Sequence, residues 1–445
     1  MTFDLDTLQE AVAGSAAAFR CVTRYQPAGG PGDKVFAPTY DGGKYATEKR
    51  IDPETGEVKS CVLLDSVQSQ ANRMELALLD AHRANKIRLP LIVTTFDQND
   101  LPRPFTVTSL EAPHRVADAL FRDSLLSGVK FRRSEKGRIL DTADIRNATG
   151  LFGLCPTALV FGLWDSTGPR GGLGAKFQRA LVSEIVGFDA VPGVKTASRI
   201  DPASIEKHAG PVFRSEDGDW TVDPDNAEKE NGKPVLYKRR QGKRVPFEPG
   251  GEHDVPEQGR PSVINHGNVT PDYDYAKSNN QIRYETRLDE RGREVRVRPR
   301  ILGGFTISRA VQTTVLSLSV LRRLRFPLGA TADPGEADLA ARTALTALGL
   351  AAGTLARVDV DLRSRCQLFP ESEPRWEILD RPGKAPEEFV LEPDAALSLL
   401  ADAVTAARDT GLPWENRIEL TPSEDLVELV RRSQELAVEP GAENQ

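Results

Sequence analysis

The chain has 445 residues and a mass of 48.7 kDa, which is enough for two or three domains with buried cores. Its mean hydropathy is −0.39, and no run approaches the roughly 18–20 apolar residues of a membrane helix, so we expect no membrane partner. Four cysteines without a CxxC pair and five histidines argue against a disulfide scaffold and a Cys/His metal site. Because the N-terminus lacks the basic and apolar regions of a signal peptide, we expect a cytoplasmic protein.

The net charge of −7 is unevenly distributed along the chain. From Phe326 to the end there are 11 Lys/Arg and 23 Asp/Glu residues, a net charge of −12. The residues before Phe326 include 47 Lys/Arg and 42 Asp/Glu residues, a net charge of +5. Within them, the segment 283–325 alone has 11 arginines and four acidic residues. This pattern fits a basic body that binds a charged partner, and it equally fits basic and acidic faces that pair within one domain.

The first part of the chain alternates extended and helical patterns. Residues 4–13 predict a helix, and the sequence AAFRCVTRY that follows predicts a strand. DSVQSQANRMELALLDAHRA predicts a helix with Ser66 as its N-cap and an apolar stripe that includes Met74 and Leu78. The runs LPLIVTTF and FTVTSL flank DQNDLPRP, and together they predict a β-hairpin.

The middle of the chain contains two apolar segments and one long polar segment. Residues 114–127 predict a helix, and the continuous apolar run TALVFGLW predicts a buried strand. Residues 196–300 are rich in charged residues, Asn, Pro and Gly and poor in aliphatics, which indicates a functional insertion or a partly disordered segment. Within it, a basic hairpin is predicted near Tyr237–Arg244.

The last part of the chain predicts mainly helices. REVRVRPRIL alternates as a strand does, whereas ISRAVQTTVLSLSVLRRLRF has the length and apolar spacing of a helix, despite its β-branched content. ALTALGLAAGTLA predicts a helix and RVDVDLRSRC a half-buried strand. Two helices close the chain, in EPDAALSLLADAVTAARDTG and in TPSEDLVELVRRSQELAV, which opens with the pattern of a capping box.

Motifs for nucleotide binding or catalysis are incomplete in this sequence. The glycine-rich run 168–176 lacks both the Gly-Lys-Ser/Thr ending of a phosphate loop and the GxGxxG spacing of a dinucleotide site. Asp359 and Asp361 alternate on one predicted strand face, as a carboxylate pair for metal or acid–base chemistry would, but a solvated strand face has the same pattern. His82 and His114 are interpreted as capping or surface residues.

Three segments share a chemistry that suits a sugar–phosphate backbone. The first, Ser66–Arg73, places hydroxyls, amides and a guanidinium at a helix start, where backbone N–H groups already favour an anion. The second, Trp164–Arg179, combines a glycine-rich backbone with basic side chains, and the third, Arg293–Arg325, is rich in arginine. A capped helix, a tight turn and arginines that solvate a strand are the structural alternatives. Together, in a body of positive charge, the three segments favour nucleic-acid binding.

The runs LVFGLWDSTGPRGGLGAKFQRALVSEIVGFD and LLDSVQSQANRMELALL resemble the RNA-binding backbone subunit of CRISPR Cascade complexes of subtype I-G, formerly I-U, in the RAMP superfamily. The resemblance covers residues 15–370, weakly across 196–290. It implies a modified RRM-like (ferredoxin-like) palm with a β-hairpin thumb. With the long polar insertion and the helical C-terminal portion indicated by the residues themselves, the expected fold class is α+β. We expect four parts: 1–195 for the first part of the palm with the thumb at about 87–110, 196–300 for the insertion, 301–375 for the rest of the palm, and 376–445 for an acidic helical region.

The resemblance also implies a function and a set of partners. Several copies would polymerise head to tail along one guide crRNA, bind its backbone without sequence specificity and present it for pairing with target DNA in antiviral defence. The other implied partners are a large subunit, a RAMP cap at the 5′ end of the guide and a processing subunit, while a separate helicase–nuclease cuts the target. No cofactor, metal or catalytic residue is expected, and the acidic C-terminal region is expected to pair with the basic body of another copy.

Two groups of residues are assigned to this function. The residues expected to bind RNA are Arg24, Ser66, Gln68, Ser69, Asn72, Arg73, Arg170, Lys176, Gln178, Arg179 and Arg309. The residues expected at the thumb are Asp97, Gln98, Asn99, Leu101 and Arg103, with the basic hairpin near Tyr237–Arg244 as the second candidate.

Two other functions stay open at this stage. One is a metal-dependent RNase of the RAMP class, because related type III backbones cleave RNA with a loop aspartate and Asp165 lies in such a loop; the Asp359/Asp361 pair is the other candidate. We expect instead that Asp165 holds its loop by hydrogen bonds. The second alternative is a protein-only scaffold whose arginines serve protein contacts.

Overall fold

The structure, a computed structural model, describes most of the chain. The described residues are 3–52, 55–98, 101–166, 174–206, 209–237, 259–273, 277–278, 281–282, 285–288, 292–297, 302–329 and 333–438. The chain is a mixed α+β protein that divides into two compact units. The first comprises residues 1–191 and 305–431, and the second comprises residues 192–304 and 432–445.

Ten α-helices lie within the described residues. They are α1 (Leu5–Ala13), α2 (Val67–Arg83), α3 (Ala119–Asp123), α4 (Ile139–Thr142), α5 (Thr149–Leu154), α6 (Thr157–Phe161), α7 (Leu318–Leu321), α8 (Pro334–Leu355), α9 (Pro393–Asp409) and α10 (Glu424–Val438). Among the helices that the structure describes, none combines the length and the apolar character needed to span a bilayer.

The strands are numerous, and most are short. From the N-terminus they are β1 (Ala18–Pro27), β2 (Lys34–Val35), β3 (Thr39–Tyr40), β4 (Lys44–Tyr45), β5 (Thr47–Ile51), β6 (Val58–Asp65), β7 (Ile92–Phe96), β8 (Phe105–Thr108), β9 (Leu125–Leu126), β10 (Val129–Lys130), β11 (Leu163–Trp164), β12 (Lys176–Phe177) and β13 (Leu181–Phe188). The next are β14 (Val191–Val194), β15 (Thr196–Arg199), β16 (Phe213–Arg214), β17 (Trp220–Thr221), β18 (Lys229–Glu230), β19 (Lys233–Pro234), β20 (Val269–Tyr273), β21 (Lys277–Ser278), β22 (Gln281–Ile282), β23 (Glu285–Leu288) and β24 (Glu294–Val297). The last are β25 (Leu302–Thr306), β26 (Arg309–Ser317), β27 (Leu368–Pro370), β28 (Trp376–Leu379), β29 (Glu387–Phe389) and β30 (Ile418–Leu420).

An eight-stranded sheet forms the centre of the first unit. Its order is β29-β28-β1-β26-β13-β6-β5, with β27 also paired to β1, and every pairing is antiparallel. Among the four strands β28, β1, β26 and β13, the spatial order corresponds to the fourth, first, third and second in the chain. Helix α2 lies between the first and second of these strands in sequence, and α8 lies between the third and fourth.

One face of this sheet packs against helices. Side chains alternate along β26, so that Ala310, Gln312, Thr314 and Leu316 are buried, whereas Thr313 is exposed on the opposite face. Helices α2 and α8 contact the strands, and α1 and α9 pack against α8. Because α8 is covered on nearly all sides, most of its residues are buried alanine, leucine, glycine and threonine, which permit a close approach to the sheet.

The second unit is built from short strand pairs around a small core. The pairs are β15 with β20, β16 with β17, β18 with β19, β21 with β22, and β23 with β24. Phe213, Ala227 and Leu236 form a hydrophobic cluster. The predicted insertion at 196–300 falls within the residue range of this unit, and the four-part division of the chain stays a prediction.

Several predicted elements are confirmed, including the helices α1, α2, α8, α9 and α10, the strand β1 and the hairpin β7–β8. The prediction of a strand for TALVFGLW is wrong, because most of it forms α6 and only its last two residues belong to β11. All residues of α6 are buried, and a uniformly apolar run cannot distinguish a buried helix from a buried strand.

Three further predictions are also wrong. The segment ISRAVQTTVLSLSVLRRLRF forms the central strand β26 and then the short α7, since its β-branched residues fill the middle of a sheet. Residues 114–127 contain only a 3₁₀ turn, the five-residue α3 and part of a short β-ladder. The segment RVDVDLRSRC forms a single bridge, between Asp361 and Gln367, instead of a strand.

Candidate nucleic-acid interface

The start of α2 presents polar groups on the surface of the first unit. Strand β6 ends at Asp65, and the Ser66 hydroxyl oxygen accepts the backbone N–H of Ser69 at 3.3 Å, which confirms Ser66 as the N-cap. Gln68 and Asn72 are exposed. The first turn is uncharged, so the backbone N–H groups of the helix start favour an anion without a competing carboxylate on that turn.

Beneath this helix start, Asp65 is fully buried and collects three donors. Its Oδ2 accepts Gln70 Nε2 at 2.7 Å and Arg73 Nε at 3.0 Å, and its Oδ1 accepts an Nη of Arg363 at 3.1 Å. Arg73 also donates to the carbonyl oxygen of Leu362 at 2.6 Å. Its assignment to RNA binding stays a prediction, and a phosphate would have to compete with these acceptors.

Buried polar side chains join α2 to the central strands. Gln70 Oε1 accepts the Ser183 hydroxyl at 2.9 Å and Gln312 Nε2 at 2.7 Å, and the Tyr25 hydroxyl donates to Gln312 Oε1 at 2.8 Å. Burial raises the pKa of Tyr25 to about 12. Gln312 and Thr314, part of the third predicted segment, therefore face the core of the first unit, and only Thr313 of that polar run is exposed.

Strands β11 and β12, on either side of the glycine-rich segment in sequence, pair as a two-stranded ladder. Leu163 pairs with Phe177 on its buried side, and Trp164 pairs with Lys176 on its exposed side. The Lys176 ammonium lies 5.5 Å from the centroid of the Trp164 ring, and 58% of Trp164 is exposed. Gln178 is exposed as well. Residues 167–173, which include Arg170, lie outside the described residues.

Asp165 holds the base of this loop. It is only 2% exposed, its backbone N–H donates to the Ala175 carbonyl at 2.9 Å, and its Oδ2 accepts Arg132 at 3.0 Å. A β-carbon at Gly174 would overlap the Asp165 carbonyl oxygen, so this close approach requires glycine. These contacts agree with the prediction that Asp165 fixes its loop. Within the part of the chain that the structure describes, no cluster of three or more His, Cys, Asp and Glu residues could hold a metal ion.

A buried ion pair connects α2 to the same ladder. Arg115 donates to both carboxylate oxygens of Glu75, at 2.6 and 2.7 Å, and also to the carbonyl oxygen of Gly162 at 3.1 Å, directly before β11. Burial raises the pKa of Glu75 to about 7, against the opposing effect of Arg115. Neither residue was predicted to be important from the sequence. A glutamate on the apolar face of α2 does, however, indicate a buried partner of opposite charge.

Arg179 and Arg309, two residues predicted to bind RNA, already have protein partners. Arg179 Nε donates to the Phe161 carbonyl at 3.0 Å, and burial together with the nearby Arg115 lowers the pKa of Arg179. Arg309 donates to Asp52 at 2.7 Å and lies 5.0 Å from the centroid of the Phe188 ring. Both assignments stay predictions that require these contacts to be exchanged.

Arg24 and Arg322, the latter in the third predicted segment, have different surroundings. Arg24 is exposed on the sheet face opposite the helices. Arg322 donates to the carbonyl oxygens of Ala11 and Ala16, so it supports the end of α1. Arg298 and Arg300 lie outside the described residues.

The strands of the predicted thumb hairpin belong to a three-stranded sheet. Strand β7 pairs with β8 on one side and, in parallel, with β30 on the other, and most of its residues are buried. Phe96 and Phe105 stack at 4.6 Å between ring centroids, just below the tip. At the tip, Asp97 and Arg103 are exposed and Gln98 is half-buried.

Two other thumb predictions have a different outcome. Leu101 is buried, and its N–H donates to the Gln98 carbonyl at 3.0 Å, so it anchors the tip instead of extending from it. Asn99 and, in the second candidate hairpin, residues 238–244 lie outside the described residues. Whether either hairpin contacts RNA stays a prediction.

Comparison with known proteins supports the CRISPR assignment at a coarse level. No curated protein matches the chain. Residues 19–192, which are 174 of the 445, match the family described as CRISPR-associated protein GSU0053. The matched range contains β1, α2, the hairpin β7–β8 and the ladder β11–β12. The match therefore supports a CRISPR-associated protein.

Proposed function

We propose that the protein is a non-catalytic backbone subunit of a type I CRISPR Cascade effector, of subtype I-G, that binds guide crRNA. Copies would stack head to tail along the guide, beside the large subunit, the 5′-end RAMP cap and the processing subunit. The guide is then presented to target DNA. One observation carries the proposal. The uncharged start of α2 and the exposed Trp164–Lys176 pair both lie in the family-matched region, and the buried Glu75–Arg115 ion pair connects the elements that bear them.

The strand order supports an RRM-like palm. In a ferredoxin-like βαββαβ unit, the antiparallel strands follow the order four-one-three-two, with a helix after the first strand and another after the third. The strands β28, β1, β26 and β13, with α2 and α8, have this arrangement, and both helices contact the same sheet face. The hairpin β5–β6 extends the sheet beyond β13.

The buried Glu75–Arg115 ion pair fixes the start of α2 and the Trp164–Lys176 pair relative to each other. Glu75 of α2 is bound through Arg115 to Gly162, the residue before β11. From Val67 to Glu75 the helix rises roughly 12 Å, at about 1.5 Å per residue. The start of α2 and the Trp164–Lys176 pair therefore form two anchor points on one rigid body, as binding to an extended strand requires.

The contacts favour recognition of the backbone over recognition of sequence. Ser66, Gln68, Ser69 and Asn72 supply hydroxyls and amides at the N-terminus of α2, and Lys176 supplies a charge. Such groups bind phosphate and ribose oxygens, which every nucleotide shares. We propose no catalysis because Asp165 is buried and bound to Arg132, whereas a nucleolytic carboxylate needs access to a metal and to the phosphodiester.

The decisive experiment measures RNA affinity as a function of salt. For single strands the log–log slope changes by about 0.7 for each phosphate neutralised, so Lys176→Gln should reduce the slope by about that amount. Lys384→Gln, an exposed lysine on the turn between β28 and β29, is the matched control and should leave the slope unchanged. Absence of RNA binding by the wild type at low salt would refute the proposal. Native mass spectrometry should show copies added at a fixed increment of RNA length.

A further inference from the structure

Trp164 is the most exposed tryptophan in the described part of the chain. It is 58% exposed, against 43% for Trp220 and 2% for Trp376, whereas Trp414 is half-buried. An indole ring on the surface leaves a large apolar area in water, and tryptophan is enriched at sites of contact. The question is which partner this ring accepts.

The backbone that presents Trp164 is held rigidly. Leu163 and Phe177, the pair on the opposite side of the ladder, are both buried, and Asp165 is bound to Arg132 and to the Ala175 carbonyl. On the other side, Gly162 has a left-handed φ of 88° and its carbonyl accepts Arg115. A ring on such a fixed support loses little conformational freedom when a partner stacks on it.

Among the described residues of this ladder, the other exposed side chains are polar. Lys176 lies over the indole at 5.5 Å, and Ser166 and Gln178 are also exposed. A tryptophan at the centre of a protein interface is usually surrounded by contacts that exclude water, which these side chains do not provide. An aromatic ring beside a cation is instead the pair that binds a base and its phosphate in single-stranded nucleic acids.

We propose that Trp164 stacks on a base of bound single-stranded RNA while Lys176 neutralises an adjoining phosphate. This inference rests on the proposed function and adds base stacking to backbone contact. Stacking does not discriminate among bases, since every base has a π-face, so it is compatible with a guide of any sequence. The site therefore has a separable apolar part, Trp164, and an ionic part, Lys176.

The test compares the wild type with Trp164→Ala, Trp164→Phe and Trp220→Ala on two ligands, an oligouridylate and a ribose-phosphate oligomer of equal length that lacks bases. Trp164→Ala should bind the oligouridylate about 5- to 150-fold more weakly, the range that corresponds to stacking of one base. It should bind the abasic oligomer as the wild type does, and its salt slope should be unchanged. Trp164→Phe should retain most of the affinity, and Trp220→Ala should retain all of it.

Three results would overturn the inference. If Trp164→Ala binds the oligouridylate as tightly as the wild type, stacking is refuted while the proposed function stands. If the wild type binds neither ligand, both fail. If Trp164→Ala binds RNA normally but no longer assembles with other copies in sedimentation experiments, the ring is a protein contact. Thermal unfolding should be unchanged in Trp164→Ala because the ring is exposed, so a loss of affinity is not a loss of fold.

Discussion

Replacing Arg115 by methionine should destabilise the first unit strongly. The Arg115 and Glu75 side chains are only 7% and 3% exposed, and two charge-assisted hydrogen bonds of 2.6 and 2.7 Å join them. Methionine fills much of the arginine's volume but leaves the carboxylate buried without its partner. Removal of one member of a buried ion pair costs about 3–5 kcal/mol of unfolding free energy. The Gly162 carbonyl also loses a donor, so the base of the β11–β12 ladder should loosen.

Urea denaturation at pH 5 and pH 8 measures this effect. Without Arg115, Glu75 can relieve its isolation by taking up a proton, so the loss should be smaller at pH 5 than at pH 8. The double variant Glu75→Leu with Arg115→Met, which removes both charges, should recover most of the stability, because a buried pair is often no better than an apolar replacement. A loss below about 1 kcal/mol at pH 8, or a double variant as unstable as the single one, would refute the reasoning.

Two other predictions concern the same unit. The folded pKa of Glu75, raised to about 7 by burial, means that the folded protein binds more protons than the unfolded chain between pH 4.5 and 7. Relative to Glu75→Gln, wild-type stability should therefore fall as the pH rises through that window, by on the order of 1 kcal/mol per pH unit in urea titrations; an equal or rising difference would contradict this. Gly349→Ala would place a β-carbon 2.8 and 2.9 Å from the two terminal carbons of the buried Leu316 and should cost about 1–3 kcal/mol, although alanine favours helix. An unchanged thermal midpoint in Gly349→Ala would show that Leu316 can move aside.

Local patterns in the sequence predict the longer helices well and the central strand β26 poorly. The N-cap Ser66 and the apolar stripe of α2 are local features, so they identify the helix without knowledge of its neighbours. Strand β26 instead pairs on both sides, with β1 and β13, and its side chains are buried on one face and partly covered on the other. The partners of a central strand are distant in sequence, so a local window cannot show them. Pairing with β1 and β13 in the folded sheet is what makes this segment a strand despite its helical spacing.

The sequence predicts which segments reach the surface, but it does not predict which of their side chains are already bound within the protein. Gln68 and Asn72 beside Ser66, and Lys176 and Gln178 in the second motif, are exposed, because polar side chains at a helix start or beside a turn have no apolar surface to bury. Arginines are different, because a guanidinium donates to carbonyl and carboxylate oxygens of the protein as well as to phosphates. Arg73, Arg179 and Arg309 each have an intramolecular acceptor that the sequence does not reveal.

Within the same motifs, residues that hold the fold together alternate with residues that face outward. This alternation determines which substitutions can test the proposed function. In α2, Gln70 and Arg73 hold the helix to the sheet, whereas Gln68 and Asn72 face outward. The alternation follows from helix and strand geometry, since successive side chains are about 100° apart around a helix and point to opposite faces of a strand. Replacing a whole motif would therefore disturb the fold and the binding surface together. Only the outward-facing members, with Lys176 and Trp164 at the ladder, can separate RNA binding from stability.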